Sequence, residues 1–385
     1  TLGHSFSPRI HNALGNTNYE LFEREPSQLQ EFFANPELQG INITFPYKVN
    51  ALEACDVVDP RAERIGCVNT MVRKDGKWHG YNTDYDGFVF TLKHAGIDVS
   101  DKECIILGDG ASSATVHVAL EDLGAKSITH LSRKTAPLYT DAPNYYETAQ
   151  IIINCTPIGM YPHNPASLID IMQFSKLEGV VDLIYCDGLP FLVAQGVEAA
   201  NHFQGESFGT KEIEQILRDM RREKENIILI GMPGVGKTTV GKAIGKEMGR
   251  TCIDVDQELA KEIGDISTYI TEQGEAAFRE KEAEMIAKLG TETGLVISTG
   301  GGCVTVPKNY VHLRQNGRIY QLTQPVEKLS TSGRVLSSGG IERLRELEET
   351  RTPMYESFAQ CIVEHNRNAP ETVAAILEDF EANLL

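Results

Sequence analysis

The stretch ILIGMPGVGKTTVGKAIG, from Ile228 to Gly245, constrains this chain more than any other feature. An apolar β-branched run, a glycine-rich turn and a helix-forming run follow one another without a spacer. Gly231, Gly234, Gly236, Lys237 and Thr238 fit G-x-x-x-x-G-K-[ST] with no mismatch. The glycines let backbone N–H groups curl round a β-phosphate, Lys237 neutralises β- and γ-oxygens, and the Thr238 hydroxyl holds Mg²⁺. Thr239 counts with them as cofactor-binding. A strand feeding such a loop and helix belongs to a parallel α/β domain that binds a nucleotide.

The rest of the chain keeps that rhythm. Apolar runs at Gly40–Phe45, Glu103–Leu107, Ser127–Leu131, Gln150–Asn154 and Val180–Tyr185 alternate with helical segments, and Asn226–Ile230, Leu295–Ser298 and Arg318–Leu322 form a second series. This spacing predicts parallel α/β sheets in both halves. The best boundary is residues 204–226, where KEIEQILRDMRREKEN forms an amphipathic helix with Ile213, Ile216, Leu217 and Met220 on one face. The division expected is 1–210, a closing or linker helix at 211–225, and 226–385. Within the first part, about 1–98 plus 187–210 form a substrate portion and about 99–186 a cofactor portion.

A net charge of −18 argues against nucleic acid or an anionic membrane as main partner. The eight cysteines include no Cys-x-x-Cys pair and read as reduced thiols. No apolar run approaches a membrane span and no leader is visible, so the cytoplasm is expected. A homo-oligomer is compatible with all of this.

Downstream of the phosphate loop lie CIDVDQELA, GEAAFREKE, STGGGCV, SGRVLSSGG and RTPMYE. Asp254 and Asp256 follow an apolar run, which places them at a C-terminal strand edge, where α/β sheets bind ligands. Gly300–Gly302 let a small ligand approach the backbone. Arg279, Arg334 and Arg351 suit a carboxylate or transferring charge. Taken singly, each is an ordinary solvated side chain or tight turn. Together they resemble shikimate kinase over nearly all of 226–385. The resemblance implies a P-loop, nucleoside-monophosphate-kinase-like fold, with Asp254 helping to hold Mg²⁺. It implies that Asp256, Arg279, Gly301 and Arg351 bind shikimate and that Arg334 is the lid arginine, followed by Val335 where the family usually has proline. Lys237, Asp256 and Arg334 are the expected catalytic residues.

The first half is punctuated by LGHSFSPRIHN, INITFPYKVN, GCVNTMV, GYNTDYDGF and INCTPIGMYP. Hydroxyls, amides, Lys48 and Asp84 at strand ends suit a polyhydroxylated small carboxylate, with Lys48 and Asp84 as the ionisable pair. ECIILGDGASSATVHVALEDLG places a Gly108-x-Gly110 turn between a strand and a helix, as in dinucleotide sites. The next strand ends at Ser132, Arg133 and Lys134, cations that favour a 2′-phosphate and hence NADP(H). These blocks resemble shikimate dehydrogenase across residues 2 to about 203, a two-domain α/β fold with a Rossmann-like NADP domain. The resemblance implies that Ser5, Ser7, Thr44, Asn69, Asp84, Tyr185 and Gln195 bind substrate and that Lys48 and Asp84 are catalytic. It implies that Gly108, Gly110, Ala111, Ser132, Arg133 and Lys134 bind the cofactor. Asp109 replaces the small residue usual in the turn and would repel a pyrophosphate.

The family normally carries a further helix, strand and turn between D-L-I-Y and the G-L-x-x-L-V-x-Q helix. Here Tyr185 and Gly188 are nearly adjacent. Parallel strands need a crossover of a dozen or more residues, so chain is expected to be missing at Cys186, as near Thr1 and the short Leu14–Tyr19 join. The leading expectation is a bifunctional enzyme that reduces 3-dehydroshikimate with NADPH and phosphorylates shikimate with ATP. One alternative is an active kinase fused to a catalytically impaired, dehydrogenase-like binding or regulatory module. Another is a dehydrogenase that uses quinate or NAD.

Overall fold

The computed structural model describes residues 5–159, 167–183, 188–330, 340–365 and 369–384. The chain divides into two compact units, Thr1–Leu217 and Arg218–Leu385, and the division falls inside the helix Thr210–Lys224. Its apolar stripe is buried at Ile213, Ile216, Leu217 and Met220. Among the described residues, no helix is long and apolar enough to cross a membrane.

The first unit holds two sheets. In the first, β1 (Gly40–Asn42), β2 (Val57–Val58), β3 (Thr70–Lys74) and β4 (Lys77–Tyr81) run in the order β1-β3-β4-β2. Only β2 and β4 are parallel; β1–β3 and β3–β4 are antiparallel, which corrects the expectation of parallel sheets throughout. The cause is local. Asp75 and Gly76 both have positive φ, 52° and 77°, the two-residue turn that joins antiparallel strands. β1 is also shorter than the apolar run Gly40–Phe45, because Pro46 cannot donate to a ladder and the chain turns into the helix Lys48–Ala54.

The second sheet is wholly parallel: β5 (Glu103–Leu107), β6 (Ser127–Leu131), β7 (Ile151–Asn154) and β8 (Gly179–Asp182), in the order β6-β5-β7-β8. Both faces of β5 are covered, which is why its sequence, ECIIL, is apolar without alternation. The helices Asp84–His94 and Leu189–Gln204 pack at Gly87, where a Cβ would lie 2.8 Å from the Phe191 carbonyl oxygen and 2.9 Å from Gln195 Cβ. Gly87→Ala should therefore destabilise this unit by about 1–3 kcal/mol. Urea unfolding followed at Trp78, the sole tryptophan of the chain, would measure it.

In the second unit β9 (Asn226–Gly231), β10 (Cys252–Asp254), β11 (Val296–Ser298), β12 (Gly317–Thr323) and β13 (Cys361–Glu364) form one parallel sheet, ordered β10-β11-β9-β12-β13. β9 is central and every one of its residues is buried, so the phosphate loop leaves from the middle of the C-terminal edge. The edge strand β13 went unread in the sequence. It is four residues long, with Ile362 exposed, and gives little periodic signal.

Candidate active sites

In the first unit the helix Asp84–His94 begins directly after β4 and the helix Lys48–Ala54 shortly after β1, so both N-termini open on the same end of the first sheet. Their first residues meet: Lys48 Nζ donates to Asp84 Oδ2 at 2.5 Å, with both side chains largely buried. Burial opposes the Lys48 charge, but the adjoining carboxylate outweighs it and holds the ammonium above the ordinary lysine range. The other Asp84 oxygen accepts from Asn69 Nδ2 at 2.9 Å. Asn69 is fixed in turn by the Thr83 backbone N–H and the Thr70 hydroxyl, both donating to its Oδ1.

This network reaches further than the sequence suggested. Thr70 accepts from Asn42 Nδ2, and Asn42 Oδ1 lies 3.0 Å from the Tyr19 hydroxyl and 3.1 Å from His11 Nε2. Burial lowers His11 to about 4, with the Asn42 contact opposing, so the ring is neutral and Nε2–H is the donor. Its Nδ1 is buried and has no hydrogen-bond partner among the described residues. The signal is present in the sequence, since Asn42 opens N-I-T and His11 is the penultimate residue of LGHSFSPRIHN. Tyr19 also hydrogen-bonds Ser7, which ties that residue in. Ser5 accepts from the Ser7 N–H at 3.3 Å, Thr44 is exposed, and Gln195 Nε2 donates to the Leu192 carbonyl beside Gly87. Tyr185 and the Cys186 join lie outside the described residues.

The second sheet presents a groove of about 520 Å³ over the glycine turn, lined by Asp109, Gly110, Ser113, His130, Ser132 and Tyr145 among others. Gly108 has φ 120° and sits against Ser113 and Thr156, so no side chain fits there. Ala111 starts the helix Ala111–Asp122. Ser132 is buried, and its hydroxyl closes the turn by donating to the Thr135 carbonyl and accepting the Thr135 N–H. Arg133 and Lys134 stand exposed beyond it. A bare turn, a groove and two exposed cations fit a phosphorylated dinucleotide, though Asp109 adds a carboxylate to the same groove.

In the second unit Gly231, Gly234 and Gly236 all have positive φ, and a Cβ on the first two would strike the Leu322 and Ser330 backbones. Lys237 is buried and donates to the Gly231 and Met232 carbonyls at 2.8 and 3.0 Å. Thr238 Oγ1 donates to Asp254 Oδ2 at 2.5 Å. A hydroxyl and a carboxylate so close form an oxygen set that fits Mg²⁺, which keeps waters and phosphates as its remaining ligands. Thr239 follows within the helix Lys237–Met248.

Gly300–Gly302 form a cradle whose missing side chains leave room for charged neighbours. A Cβ at Gly300 would lie 2.8 Å from Asp256 Oδ1 and strike Glu282 Oε1; one at Gly302 would strike the Arg279 guanidinium. Arg279 is held by Glu282 at 2.7 Å and Glu275 at 3.0 Å. Arg351 and Tyr355, one helical turn apart in Gly340–Phe358, both donate to the Gly301 carbonyl. Asp256, Arg279, Gly301 and Arg351 are thus brought together. Glu282 was overlooked because FREKE reads as a solvated helix face, yet it is fully buried, and burial raises its pKa against the pull of Arg279. Arg334 lies outside the described residues.

Residues 233–381 match the family described as shikimate kinase, and residues 1–71 match the shikimate dehydrogenase substrate binding domain. The shikimate dehydrogenase (NADP(+)) of Clostridium beijerinckii is 34% identical over 239 residues, spanning 53% of this chain and 88% of that protein. An alignment of 239 residues fits on 53% of a 385-residue chain only with gaps, so that relative carries positions without counterpart here. The Aquifex aeolicus shikimate dehydrogenase (NADP(+)) is 32% identical, over 57% of this chain and 93% of its own. Among solved structures, shikimate dehydrogenase 1 of Peptoclostridium difficile superposes with TM-score 0.51 at 29% identity, over 57% of this chain and 95% of that one. A chorismate mutase/shikimate 5-dehydrogenase fusion protein from Clostridium acetobutylicum gives TM-score 0.53 at 28% identity, over 57% and 94%.

Proposed function

The chain belongs to the shikimate dehydrogenase family and carries the shikimate kinase pattern behind it, and from that premise we propose a bifunctional enzyme of the shikimate pathway. The first unit reduces 3-dehydroshikimate to shikimate, and the second phosphorylates shikimate to shikimate 3-phosphate. When bound, NADPH supplies the hydride and MgATP the phosphoryl group. The observation that carries the reading is the separation of labour between units. A buried Lys48–Asp84 pair serves one, and a phosphate loop facing an acid–arginine cradle serves the other.

In the first site the Lys48 ammonium donates the proton that the reduced carbonyl oxygen needs. Asp84 aims that ammonium, and Asn69 aims Asp84. Ser5, Ser7, Thr44 and Gln195, with Tyr185, are the substrate contacts we propose. The glycine turn from Gly108 to Ala111 and the Ser132–Lys134 turn would hold the dinucleotide. In the second site Asp256 orients the acceptor hydroxyl, while Arg279 and Arg351 bind the acceptor carboxylate against Gly301. Lys237, Arg334 and the loop N–H groups would hold ATP, and Thr238 with Asp254 would hold Mg²⁺. The domain division proposed is 1–210, 211–225 and 226–385, and the cytoplasm is the proposed compartment.

The test is direct. The purified chain should oxidise NADPH when given 3-dehydroshikimate, and should form ADP from ATP when given shikimate alone. A chain that forms ADP but never oxidises NADPH would replace this reading with a kinase fused to an impaired module. Within the second site, Gly300→Ala would push a methyl group against Asp256 and Glu282. It should raise the shikimate KM by roughly five- to 150-fold, the 1–3 kcal/mol of an overpacked contact. ADP affinity, measured by calorimetry, should stay unchanged.

A further inference from the structure

Hydride transfer asks for more than two well-formed half-sites. The reduced nicotinamide has to come within about 3–3.5 Å of the carbonyl carbon, and a misplacement of about 1 Å can cost a hundredfold. The Lys48–Asp84 pair stands at the end of the first sheet, whereas the glycine turn stands at the end of the second. One has to be fixed against the other. The two portions of this unit meet along the helix Ala111–Asp122, which starts at the turn.

The join nearest the chemistry is made by Asn82, in the tripeptide Asn82-Thr83-Asp84 that follows β4. Asp84 holds Lys48, and Thr83 holds Asn69. Asn82 reaches the cofactor helix instead. Its Nδ2 donates to the Cys67 carbonyl at 3.1 Å and to Thr115 Oγ1 at 3.3 Å. Thr115 gives its own proton to the carbonyl of Ala111, the first residue of that helix, at 3.1 Å. Both side chains are buried. A backbone carbonyl only accepts, so Cys67 and Ala111 fix the direction of both bonds and the Asn82 amide cannot turn over. That orientation leaves Asn82 Oδ1 buried without a hydrogen-bond partner among the described residues. Buried acceptors are nearly always paired, and packing alone gives no reason to keep this one. Farther along the helix the join is apolar and then ionic. Ile65 and Cys67 pack with Val118, and Arg64 and Tyr85 bind Asp122 at the last residue. That outer end is solvated and screened, and it lies three turns from the glycine turn.

We propose that Asn82 and Thr115 are positioning residues for hydride transfer. Their hydrogen bond sets the first turn of the cofactor helix, and with it the nicotinamide, in register with the Lys48–Asp84 pair. Neither side chain needs to touch substrate or cofactor to do so. This inference rests on the first unit reducing 3-dehydroshikimate with NADPH. An interaction that matters only for the alignment of the reacting atoms shows in kcat and leaves ground-state binding alone.

The experiment compares Thr115→Val, which keeps the shape and loses the hydroxyl, with Thr115→Ser, which keeps the hydroxyl, both in the full chain. Thr115→Val should lower kcat for reduction about tenfold, a part of the loss that about 1 Å of misplacement brings. KM for 3-dehydroshikimate should stay at the parent's value, as should the NADPH Kd read by nicotinamide fluorescence. Thr115→Ser should recover most of the lost kcat. Asn82→Ala should lose kcat likewise. The double variant Asn82→Ala, Thr115→Val should lose no more than the larger single change, because both remove one bond. Thr115→Ala, with a good helix former, carries the same test should valine disturb the helix. A Thr115→Val kcat equal to the parent's would overturn the proposal. So would a loss matched by weaker NADPH binding, or single losses that simply add. If the parent chain binds no NADPH, or binds it and never reduces 3-dehydroshikimate, the dehydrogenase reading itself fails, and this inference with it.

Discussion

Lys48→Ala should abolish NADPH-dependent reduction and leave phosphoryl transfer from ATP essentially untouched. The loss expected is about a thousandfold in kcat, within the range for removing a positioned general acid. The geometry says why nothing nearby can substitute. Among the described residues the charged side chain that pairs with Lys48 is Asp84, whose carboxylate oxygens accept and cannot supply the proton. Asn69 is committed to Asp84 and Thr83. The variant keeps Asp84 bonded to Asn69, so the carboxylate is not stranded and the fold should survive. Lys48→Arg should not rescue, because a planar guanidinium stays charged and cannot cycle its proton. Steady-state assays of both activities on one preparation check the expectation. Loss of both activities in a folded chain would refute the two-site reading.

The pH dependence follows from the same pair. Asp84 holds the Lys48 pKa above its ordinary value although burial opposes it. Reduction needs the ammonium, so its rate should stay level through neutrality and fall as pH climbs through the raised value. Oxidation of shikimate needs the free amine and should rise over that limb. Stability has the same sign: the contribution of the pair is complete below the ordinary lysine range, about pH 10.4, and is lost as pH rises through the folded value.

Legibility followed how local each feature is. The loop from Gly231 to Thr238 could be read outright, because its chemistry lies in backbone N–H groups within one contiguous turn. Lys48 and Asp84 are 36 residues apart, and Lys48 alone reads as a surface residue. Their place at strand ends among hydroxyls and amides marks them as an ionisable pair, and the family pattern gives the pair its catalytic role. The Asp75–Gly76 hairpin is legible in its Asp-Gly turn, whereas apolar runs alone do not distinguish parallel from antiparallel strands. Glu282 could not have been found by charge pattern, because burial, not sequence, separates it from Glu280 and Glu284. The roles given to Tyr185 and Arg334 fall outside the described residues.

Lys237→Ala should produce the reverse phenotype, with shikimate phosphorylation lost and NADPH oxidation intact. Two effects combine. The side chain braces its own loop by donating to the Gly231 and Met232 carbonyls, and it carries the positive charge of the phosphate site. The brace is replaceable in part, since the loop is also fixed by the tight approaches of Gly231 to Leu322 and Gly234 to Ser330. The charge is not, because Thr238 and Asp254 together supply a hydroxyl and an anion. With the ammonium gone, Asp254 is left facing the phosphates without a protein cation in the loop. A fall of about 10³-fold or more in kcat/KM for ATP, some 4 kcal/mol, is the size expected for removing a charge aimed at transferring phosphate. Lys237→Arg should recover little, since a planar guanidinium does not reproduce the compact charge that the buried ammonium sets against the Gly231 and Met232 carbonyls. A variant that still binds ADP yet fails to turn over would place the loss in the transition state. One that binds no ADP would place it in the loop's architecture, and calorimetry separates the two.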